Sequence, residues 1–460
     1  MSRAWLHRHV HGLTTFAART YYRITVAGAP VPGSGPVLLV SNHPNSLLDP
    51  ALVAIAAGRP VRWLARAGLF EQRSIGWLVR GSGAIPVHRR GDPLPAAAAQ
   101  EPQNVNLRMF EAVREALQEG SAIGVFPEGL SHSAPSLAPL KTGAARIALG
   151  AAAEGLGEFP ILPVGITFRG GKERFRSEAL LLVGSPVRWA DLAGAGERDT
   201  EAVRDLTQRI HAGLSRVTVN LESWDDFPIV EGAEAIHHAE FGRSRSSNPV
   251  RWLARMRRTA ALLETARAAD DGEGQAELEA DILRHKRVLD SVGLAPGDLH
   301  HVPSASVAVR WTLKNLGFFG VAAPLALLGA VVFFLPYRLV GWAEPRYDLP
   351  ADKRATYKVL GGATACGGWI LILAALLREL AGWQPALVAL VTLPLLGIMT
   401  LAIRDRWQTA AHDLRRILLL KGRQDLRHKL LERQAELARR LRALGVREGP
   451  ESKPSAERSG

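Results

Sequence analysis

Three long apolar runs near the C-terminus constrain this 460-residue chain more than any other feature. Residues 316–335, 359–377 and 386–403 are almost wholly apolar. Each run approaches the length of about 20 residues that a helix needs to cross a bilayer. The runs therefore predict membrane helices within residues 311–403. The alternative is that they form buried helices of a soluble domain.

The charges beside these runs indicate a topology. The connection 337–357 and the region after residue 403 are rich in arginine and lysine, and basic flanks generally lie in the cytoplasm. The second and third runs would then form a hairpin. Because the first run contains Pro324 and ends near Pro336, we expect it to dip into the bilayer and return, or to lie against the hairpin. In a bacterium, this predicts the cytoplasmic face of the inner membrane.

Short apolar runs alternate with helical patterns between residues 22 and 196. The apolar runs are ITVAG, PVLLVSN, VRWLAR, AIPVHR, SAIGVFPEG, ILPVGITFRG and ALLLVGSPVRW. The segments between them carry apolar residues at helical spacing. This order predicts an α/β domain with a mostly parallel sheet and flanking helices. In such sheets, functional residues lie in the loops that follow the strands.

The remaining parts of the chain predict helices without recognisable chemistry. Residues 1–21 place apolar residues at helical spacing among basic ones, which is typical of an amphipathic helix that lies on the protein or on a membrane. Residues 197–310 form a charged helical region. Residues 404–446 predict a basic amphipathic helix with a leucine stripe, either a coiled-coil seam or an interfacial helix. The composition of residues 447–460 predicts a disordered tail.

The formal net charge of +13 favours an anionic partner, which is a nucleic acid, a membrane surface or a phosphorylated small molecule. The basic residues are not interleaved with stacking aromatic side chains, and three lipid-length segments have no use in a nucleic-acid binder. No specific nucleic acid is therefore expected. The single cysteine, Cys366, excludes a disulfide framework and a cysteine-rich metal site.

The stretch SNHPNSLLDP, residues 41–50, follows a predicted buried strand and combines a histidine with a carboxylate. His43 and Asp49 predict the base half of a catalytic triad, because a carboxylate can orient an imidazole that takes a proton from a hydroxyl. The chain has no G-x-S-x-G sequence, so the attacking hydroxyl is expected to belong to the substrate. The alternative is that Asp49 and Pro50 only begin a helix, as an N-cap and first-turn pair.

Three further stretches carry groups that suit a phosphorylated substrate. GSGAIPVHRR brings Arg89 to the end of a strand, where a guanidinium suits a phosphate. VFPEGLSHS places Glu128 and Gly129 after another strand, and a glycine amide can approach an oxyanion closely. PLKTGAARIALG puts Lys141 at a helix start, where free amide groups favour an anion. The alternative for Arg89 and Lys141 is solvated surface charge.

In this order, NHPNSLLDP, GAIPVHR, FPEGLSHS and LPVGI resemble the four sequence blocks of the glycerolipid acyltransferase family, over roughly residues 35–170. The resemblance implies transfer of a fatty acyl group to a glycerol hydroxyl at a membrane surface, as in phospholipid biosynthesis. The co-substrate would be acyl-CoA or acyl carrier protein, without a metal or a bound cofactor. His43 would be the general base and Asp49 its orienting partner. The His43→Ala variant is accordingly expected to lose turnover with little loss of folding.

The same resemblance implies the residues that hold the substrates. Arg89, Glu128 and Gly129 would help to bind the glycerol phosphate, and Pro163 would help to shape the acyl-donor side. The acceptor would be a glycerol phosphate or a lysophospholipid, and membrane lipid would be a further partner.

Two departures from the family pattern favour one branch of it. Five residues separate His43 from Asp49 instead of the usual four, and the third block reads FPEGLS instead of FPEGTR. Both features are similar to the fungal-type glycerol-3-phosphate and dihydroxyacetone-phosphate acyltransferases, which implies glycerol 3-phosphate as the acceptor. Candidates to replace the missing arginine are Lys141, Arg169, Lys172 and Arg174. Two alternatives stay open: 1-acylglycerol 3-phosphate or another lysophospholipid as acceptor, and a catalytically degenerate membrane scaffold.

Overall fold

The computed structural model describes residues 3–73, 75–88, 102–242, 248–269, 273–300 and 305–447. Arg89, which was predicted to bind phosphate, lies outside the described residues, as does the predicted disordered tail from residue 448 onward. The chain divides into two compact units. The first unit comprises residues 1–220 and 334–386, and the second comprises residues 221–333 and 387–460.

A seven-stranded sheet forms the centre of the first unit. Its strands are β1 Arg23–Gly28, β2 Val37–Ser41, β3 Val61–Arg66, β4 Ile85–Val87, β5 Ala122–Val125, β6 Ile161–Arg169 and β7 Glu178–Val183. Their spatial order is β1-β7-β6-β2-β5-β3-β4. Neighbouring strands are parallel except for the antiparallel pair β6 and β7. The predicted mostly parallel α/β sheet is confirmed, and every strand overlaps one of the predicted apolar runs.

Helices precede, connect and follow these strands. The helices within residues 1–220 are α1 Arg3–Tyr21, α2 Leu48–Ala57, α3 Gly68–Glu71, α4 Gly76–Gly81, α5 Pro102–Gln118, α6 Gly143–Ala151 and α7 Thr200–Val217. The next are α8 Asp226–Phe241, α9 Pro249–Ala269, α10 Glu273–Val292 and α11 Ala305–Val332. The last are α12 Phe334–Ala343, α13 Ala351–Ala381, α14 Trp383–Gly422 and α15 Gln424–Arg447.

The central position of β2 determines where functional side chains meet. All residues of β2 are buried, as expected for a parallel strand that is covered on both faces. β2 lies between β5 and β6, and β3 pairs with the other side of β5. Because β2, β3 and β5 run in parallel, the loops that follow them leave from the same edge of the sheet.

The first unit extends beyond the predicted domain boundary at residue 196. α7 packs on β6, and residues 334–386 also belong to this unit. Ala355 of α13 is fully buried in the core that contains Leu39 of β2 and Leu52 of α2. The first turns of α13 are therefore part of the α/β core.

Three helices among the described residues are long and apolar enough to cross a membrane. They span Val309–Val332, Ala351–Ala381 and Trp383–Leu420, which match the three predicted apolar runs. α11 continues as one helix through Pro324 and ends at Val332, near the end of the first run. α11 packs closely on α14, since a Cβ on Gly329 would lie 1.9 Å from Thr400 Oγ1.

The leucine stripe of residues 404–446 packs inside the second unit. This region forms two helices rather than the predicted single one, because α14 and α15 are separated at Arg423. α15 packs on α8 and α10, and Leu430, Leu437 and Leu441 are buried. These three leucines of the stripe therefore contribute to a core within the second unit.

Candidate active site

His43 and Asp49 meet at the carboxyl end of β2. His43 Nδ1 lies 2.9 Å from Asp49 Oδ2, and the backbone N–H of Asn45 donates to the same oxygen at 2.6 Å. Asp49 is fully buried. Burial raises the pKa of its carboxyl, and the hydrogen bond with His43 opposes that shift. Since the carboxylate accepts a proton from Nδ1–H, the lone pair of the neutral His43 ring is assigned to Nε2.

The alternative that Asp49 only caps a helix is wrong. The N-cap position of α2 is Leu47, without a capping bond from its side chain, and Asp49 lies inside the first turn. Its carboxylate bonds with His43 and Asn45 instead. The longer loop between His43 and Asp49 contains Ser46 in the left-handed region at φ +50°. The departure from the usual spacing therefore does not separate the two side chains.

The carboxylate of Glu128 holds the backbone that carries His43. Glu128 is 1% exposed, and its Oε1 accepts the backbone N–H of His43 at 2.9 Å. Its Oε2 accepts the N–H of Ala138 at 2.8 Å and bonds with His132 Nε2. Because His132 Nδ1 accepts the N–H of Ala134 at 3.1 Å, Nε2 of His132 carries a proton and donates it to Glu128. Both oxygens of Glu128 are thus bonded within the protein.

Two aromatic rings fix the plane of the His43 imidazole. Phe126 stacks on His43 with 3.9 Å between ring centroids and an interplanar angle of 7°. Trp63 extends the stack, with its ring centroid 4.6 Å from that of Phe126 and its plane at 12° to it. The Trp63 ring lies over Gly124, where an added Cβ would lie 2.6 Å from ring carbons. A side chain at position 124 would therefore displace the stack.

The Gly124→Ala variant tests whether this stack positions His43, the predicted base. We expect it to lose about 1–3 kcal/mol of stability through overpacking. We also expect kcat for the predicted acyl transfer to fall about tenfold because the imidazole is misplaced. The matched control is Gly33→Ala, since a Cβ on Gly33 meets no atom within 4 Å. An unchanged kcat in a Gly124→Ala protein of lowered thermal stability would show that the stack does not position His43.

Lys172 braces the loop that contains His43. Its Nζ donates to the carbonyl oxygen of Pro44 at 2.5 Å and to Ser133 Oγ at 2.6 Å. Burial lowers the pKa of Lys172, and the charge of Asp49 opposes this shift. Lys172 therefore connects the β6–β7 loop to the loops that follow β2 and β5. Its ammonium is engaged in these contacts rather than directed to an open phosphate site.

A cavity of about 1300 Å³ lies beside His43 in the first unit. It is larger than a typical small-ligand pocket of about 300–1,000 Å³. His43, Gly129 and Lys141 line it, together with Arg66 at the end of β3, and residues of α12 and α13 form another wall. Asp49 and Glu128 are buried and do not line the cavity. Among the predicted site residues, His43, Gly129 and Lys141 thus line the cavity, whereas Asp49 and Glu128 support the site from buried positions.

Gly129 and Pro163 have contacts that differ from the predicted ones. The N–H of Gly129 bonds with the carbonyl oxygen of Phe126 at 3.0 Å, so this amide is used in a turn. Gly129 has φ +75°, and its Cβ position lies 3.3 Å from Lys141 Cγ. Pro163 is buried on β6, with its ring close to the Cβ positions of Gly184 and Gly213. It does not line the cavity.

The sequence analysis missed several residues that hold the site. Asn42 bonds with both backbone groups of Ile166, at 2.8 and 3.0 Å, and Asn45 Nδ2 donates to the hydroxyl of Tyr22 at 2.7 Å. The two asparagines lie on either side of His43 in the sequence NHPN, and this proximity to His43 is the feature of the sequence that could have indicated their role. In the described part of the chain, no group of three His, Cys, Asp or Glu residues is arranged to hold a metal ion.

Residues 23–167 match the protein-family model described as Acyltransferase. This segment contains His43, Asp49, Glu128 and Lys141 in the geometry given above. It is an acyltransferase-family domain. The predicted family resemblance is confirmed.

Individual relatives match this domain and part of its surroundings. Glycerol-3-phosphate O-acyltransferase 2 of Saccharomyces cerevisiae is 28% identical over 285 residues, which cover 60% of this chain and 37% of the yeast protein. A chloroplastic 1-acyl-sn-glycerol-3-phosphate acyltransferase of Arabidopsis thaliana is 28% identical over 147 residues, 32% of this chain and 37% of the plant protein. The chain thus spans well under half the length of both relatives.

Among solved structures, the 1-acyl-sn-glycerophosphate acyltransferase of Thermotoga maritima is similar to 47% of this chain and 81% of its own. The two sequences are 19% identical over that range, with a TM-score of 0.32.

Proposed function

We propose that this protein transfers a fatty acyl group from a thioester donor, acyl-CoA or acyl carrier protein, to a hydroxyl of glycerol 3-phosphate. The observation that carries the proposal is the buried Asp49 bonded to His43 Nδ1, with His43 lining a large cavity. A buried carboxylate that holds one ring nitrogen leaves the other available as a base. The three apolar helices support attachment to a membrane. In a bacterial cell, the location would be the cytoplasmic face of the inner membrane.

The proposed reaction is a direct transfer. His43 Nε2 takes the proton of the acceptor hydroxyl as its oxygen forms a bond with the thioester carbonyl carbon. Asp49 stabilises the resulting imidazolium. When the tetrahedral intermediate collapses, the carbon–sulfur bond breaks and the imidazolium gives its proton to the departing sulfur. The ester and the free thiol leave, and His43 is again neutral.

Glu128 is assigned a positioning role in this proposal. Its oxygens accept hydrogen bonds from the backbone of His43 and from two other groups. A buried carboxylate that is already satisfied has little capacity for a glycerol hydroxyl. We therefore assign contact with the acceptor to groups that line the cavity. Arg89 remains a candidate from the sequence alone.

We propose glycerol 3-phosphate as the acceptor, in preference to a lysophospholipid, for two reasons. The yeast glycerol-3-phosphate acyltransferase matches 60% of this chain, whereas the plant 1-acylglycerol-3-phosphate acyltransferase matches 32%. The wider spacing between His43 and Asp49 and the FPEGLSHS block are also similar to the fungal-type enzymes. A lysophospholipid acceptor is the second candidate. A degenerate scaffold is disfavoured because the His43–Asp49 bond is intact.

The deciding experiment is an acyl-transfer assay of the detergent-solubilised full chain with labelled palmitoyl-CoA. Glycerol 3-phosphate and 1-acylglycerol 3-phosphate are supplied in parallel reactions, and palmitoyl-acyl carrier protein replaces the donor in a second series. We expect product from glycerol 3-phosphate. Product from the lysophospholipid alone would instead assign the protein to the second acylation step. Absence of product with every combination of donor and acceptor would refute the proposed acyltransferase activity.

Lys141 is the proposed contact for the acceptor's phosphate. Its side chain lines the cavity beside Gly129. We expect Lys141→Ala to raise KM for glycerol 3-phosphate about tenfold or more, with a small change in kcat, since bonds to charged groups contribute about 1.5–3 kcal/mol. The matched control is Arg169→Ala, because Arg169 pairs with Glu178 at 3.5 Å and does not line the cavity. Equal KM values in the two variants would remove Lys141 from the phosphate site.

A further inference from the structure

One face of α13 lies along the cavity that His43 lines. Residues at spacings of three and four along this helix line the cavity, including Lys353, Thr356, Leu360, Gly361, Thr364 and Ala365. That periodicity describes a single helical face. These residues lie outside the matched family segment 23–167, so the family pattern does not predict their position.

The start of α13 is fixed to the α/β core, which holds this face beside the cavity. Ala355 is fully buried in that core. Arg354 Nη1 lies 3.5 Å from Glu173 Oε2, and Lys358 Nζ donates to the carbonyl oxygen of Glu173 at 3.3 Å. The cavity wall is thus held by packing and by contacts with the β6–β7 loop.

The polarity of this wall changes along α13. Lys353 and Thr356 are polar, whereas Leu360, Gly361 and Ala365 are apolar. Thr364 lies among the apolar residues, and its hydroxyl donates to the carbonyl oxygen of Leu360 at 2.9 Å. At about 1.5 Å per residue, the face from residue 353 to residue 365 is about 18 Å long. Apolar residues of α12 also line the cavity, and Val340 of α12 lies next to Gly361. α13, Ala351–Ala381, contains an 18-residue stretch with a mean hydropathy of 1.9, and the helix is long enough to cross a bilayer. The apolar end of the wall therefore lies on a helix suited to lipid.

We propose that this face of α13 binds a fatty acyl chain and that the absence of a side chain at Gly361 allows a long chain to be accepted at His43. The inference rests on the acyltransferase function proposed above. An unbranched hydrocarbon chain requires an apolar channel, and its thioester or head group requires polar surroundings at one end. The wall offers both along one helix. At Gly361 an added Cβ would meet only Val340 Cγ1, at 4.0 Å, so the glycine leaves open space next to the α12 side of the cavity.

The Gly361→Phe variant tests the inference against Gly362→Phe, its neighbour on the same helix. A Cβ on Gly362 meets no atom within 4 Å, and Gly362 does not line the cavity. With glycerol 3-phosphate as acceptor, we expect the ratio of kcat/KM for palmitoyl-CoA to that for octanoyl-CoA to fall about tenfold or more in Gly361→Phe. The ratio should stay at the wild-type value in Gly362→Phe. Unchanged ratios in both variants, together with no effect of Gly361→Phe when the chain of the acceptor is varied, would overturn the inference.

The acyl chain can belong to the donor or to a lysophospholipid, and the acceptor distinguishes them. Glycerol 3-phosphate has no acyl chain, so a change seen with it assigns the wall to the donor's chain. In a second series, octanoyl-CoA is fixed and the chain of 1-acylglycerol 3-phosphate is varied. A Gly361→Phe effect confined to this series would assign the wall to the acceptor's chain.

A binding measurement separates this inference from the proposed function. Palmitoyl-CoA with a diazirine near the end of its chain is photolysed with the wild-type chain, and labelled peptides are identified by mass spectrometry. We expect labelling of residues 360–365 that excess palmitoyl-CoA suppresses, and less labelling in Gly361→Phe than in Gly362→Phe. Such labelling without acyl transfer would refute the function and support the chain site. Acyl transfer with label only elsewhere would refute the chain site and leave the function standing.

Discussion

Replacing His43 with alanine should lower kcat for acyl transfer about 10³-fold, since a positioned general base contributes roughly 10²–10⁴-fold to a rate. His43 lines the cavity, and its Nδ1 is held by Asp49, so the variant removes the group that is proposed to take the hydroxyl proton. KM for glycerol 3-phosphate should change little because the phosphate is assigned to cationic side chains. A variant that keeps more than a tenth of the wild-type kcat would exclude His43 as the base.

The same variant should also lose stability, which differs from the sequence-based expectation of little effect on folding. The His43 side chain is only 17% exposed, and its ring stacks on Phe126. Removal would leave the buried Asp49 carboxylate without this partner, at a cost of about 1–3 kcal/mol. The double variant His43→Ala/Asp49→Asn serves as control. We expect it to recover part of the thermal stability while activity stays lost, which separates folding from chemistry.

The strands and the His43–Asp49 pair could be predicted because their signals are local. A parallel strand that is buried on both faces must be a short apolar run, and each of the strands has one. His43 and Asp49 lie six positions apart, so one loop suffices to bring them together. Their proposed role as a base and its orienting partner rests on the residue types and on the position at the end of β2.

The rest of the site depends on contacts between distant parts of the chain. Lys172 was considered as a phosphate contact, but it bonds with Pro44 and Ser133, and no local pattern reveals these partners. The composition of α13 predicted a membrane helix. Composition does not indicate that one face of this helix lines the cavity. Composition reports that a helix is apolar. It does not report which neighbour each face contacts, and the cavity wall is a property of those neighbours.

Replacing Asp49 with asparagine should lower kcat by roughly 10²–10³-fold while keeping the geometry of His43. Both the backbone N–H of Asn45 and Nδ1 of His43 bond with the same oxygen, Oδ2. The amide oxygen should take that position, since it alone can accept both protons. The tautomer of His43 would then be kept, and the loss would measure the missing charge beside the imidazolium. A decrease near the 10⁴-fold that accompanies a wrong tautomer would show that the amide is turned the other way.

Asp49→Asn should also change how stability depends on pH. Burial raises the pKa of Asp49 above its ordinary value of 3.8, so the folded state binds this proton more tightly than the unfolded state does. The resulting stabilisation is complete below pH 3.8 and is lost as pH rises through the raised pKa. The variant has no titratable group at this position, so its melting temperature should increase relative to that of wild type as pH rises from about 4 to about 8.

Introducing the same substitution into the His43→Ala background separates the carboxylate from the imidazole. In that background position 43 cannot titrate, and the hydrogen bond that opposes the pKa shift is absent. The pH-dependent difference in stability between His43→Ala and His43→Ala/Asp49→Asn should therefore be larger than the difference between wild type and Asp49→Asn. A difference that is independent of pH in both backgrounds would mean that the pKa of Asp49 is not raised. The folded protein would then stabilise the charged carboxylate as well as water does, even without the imidazole of His43.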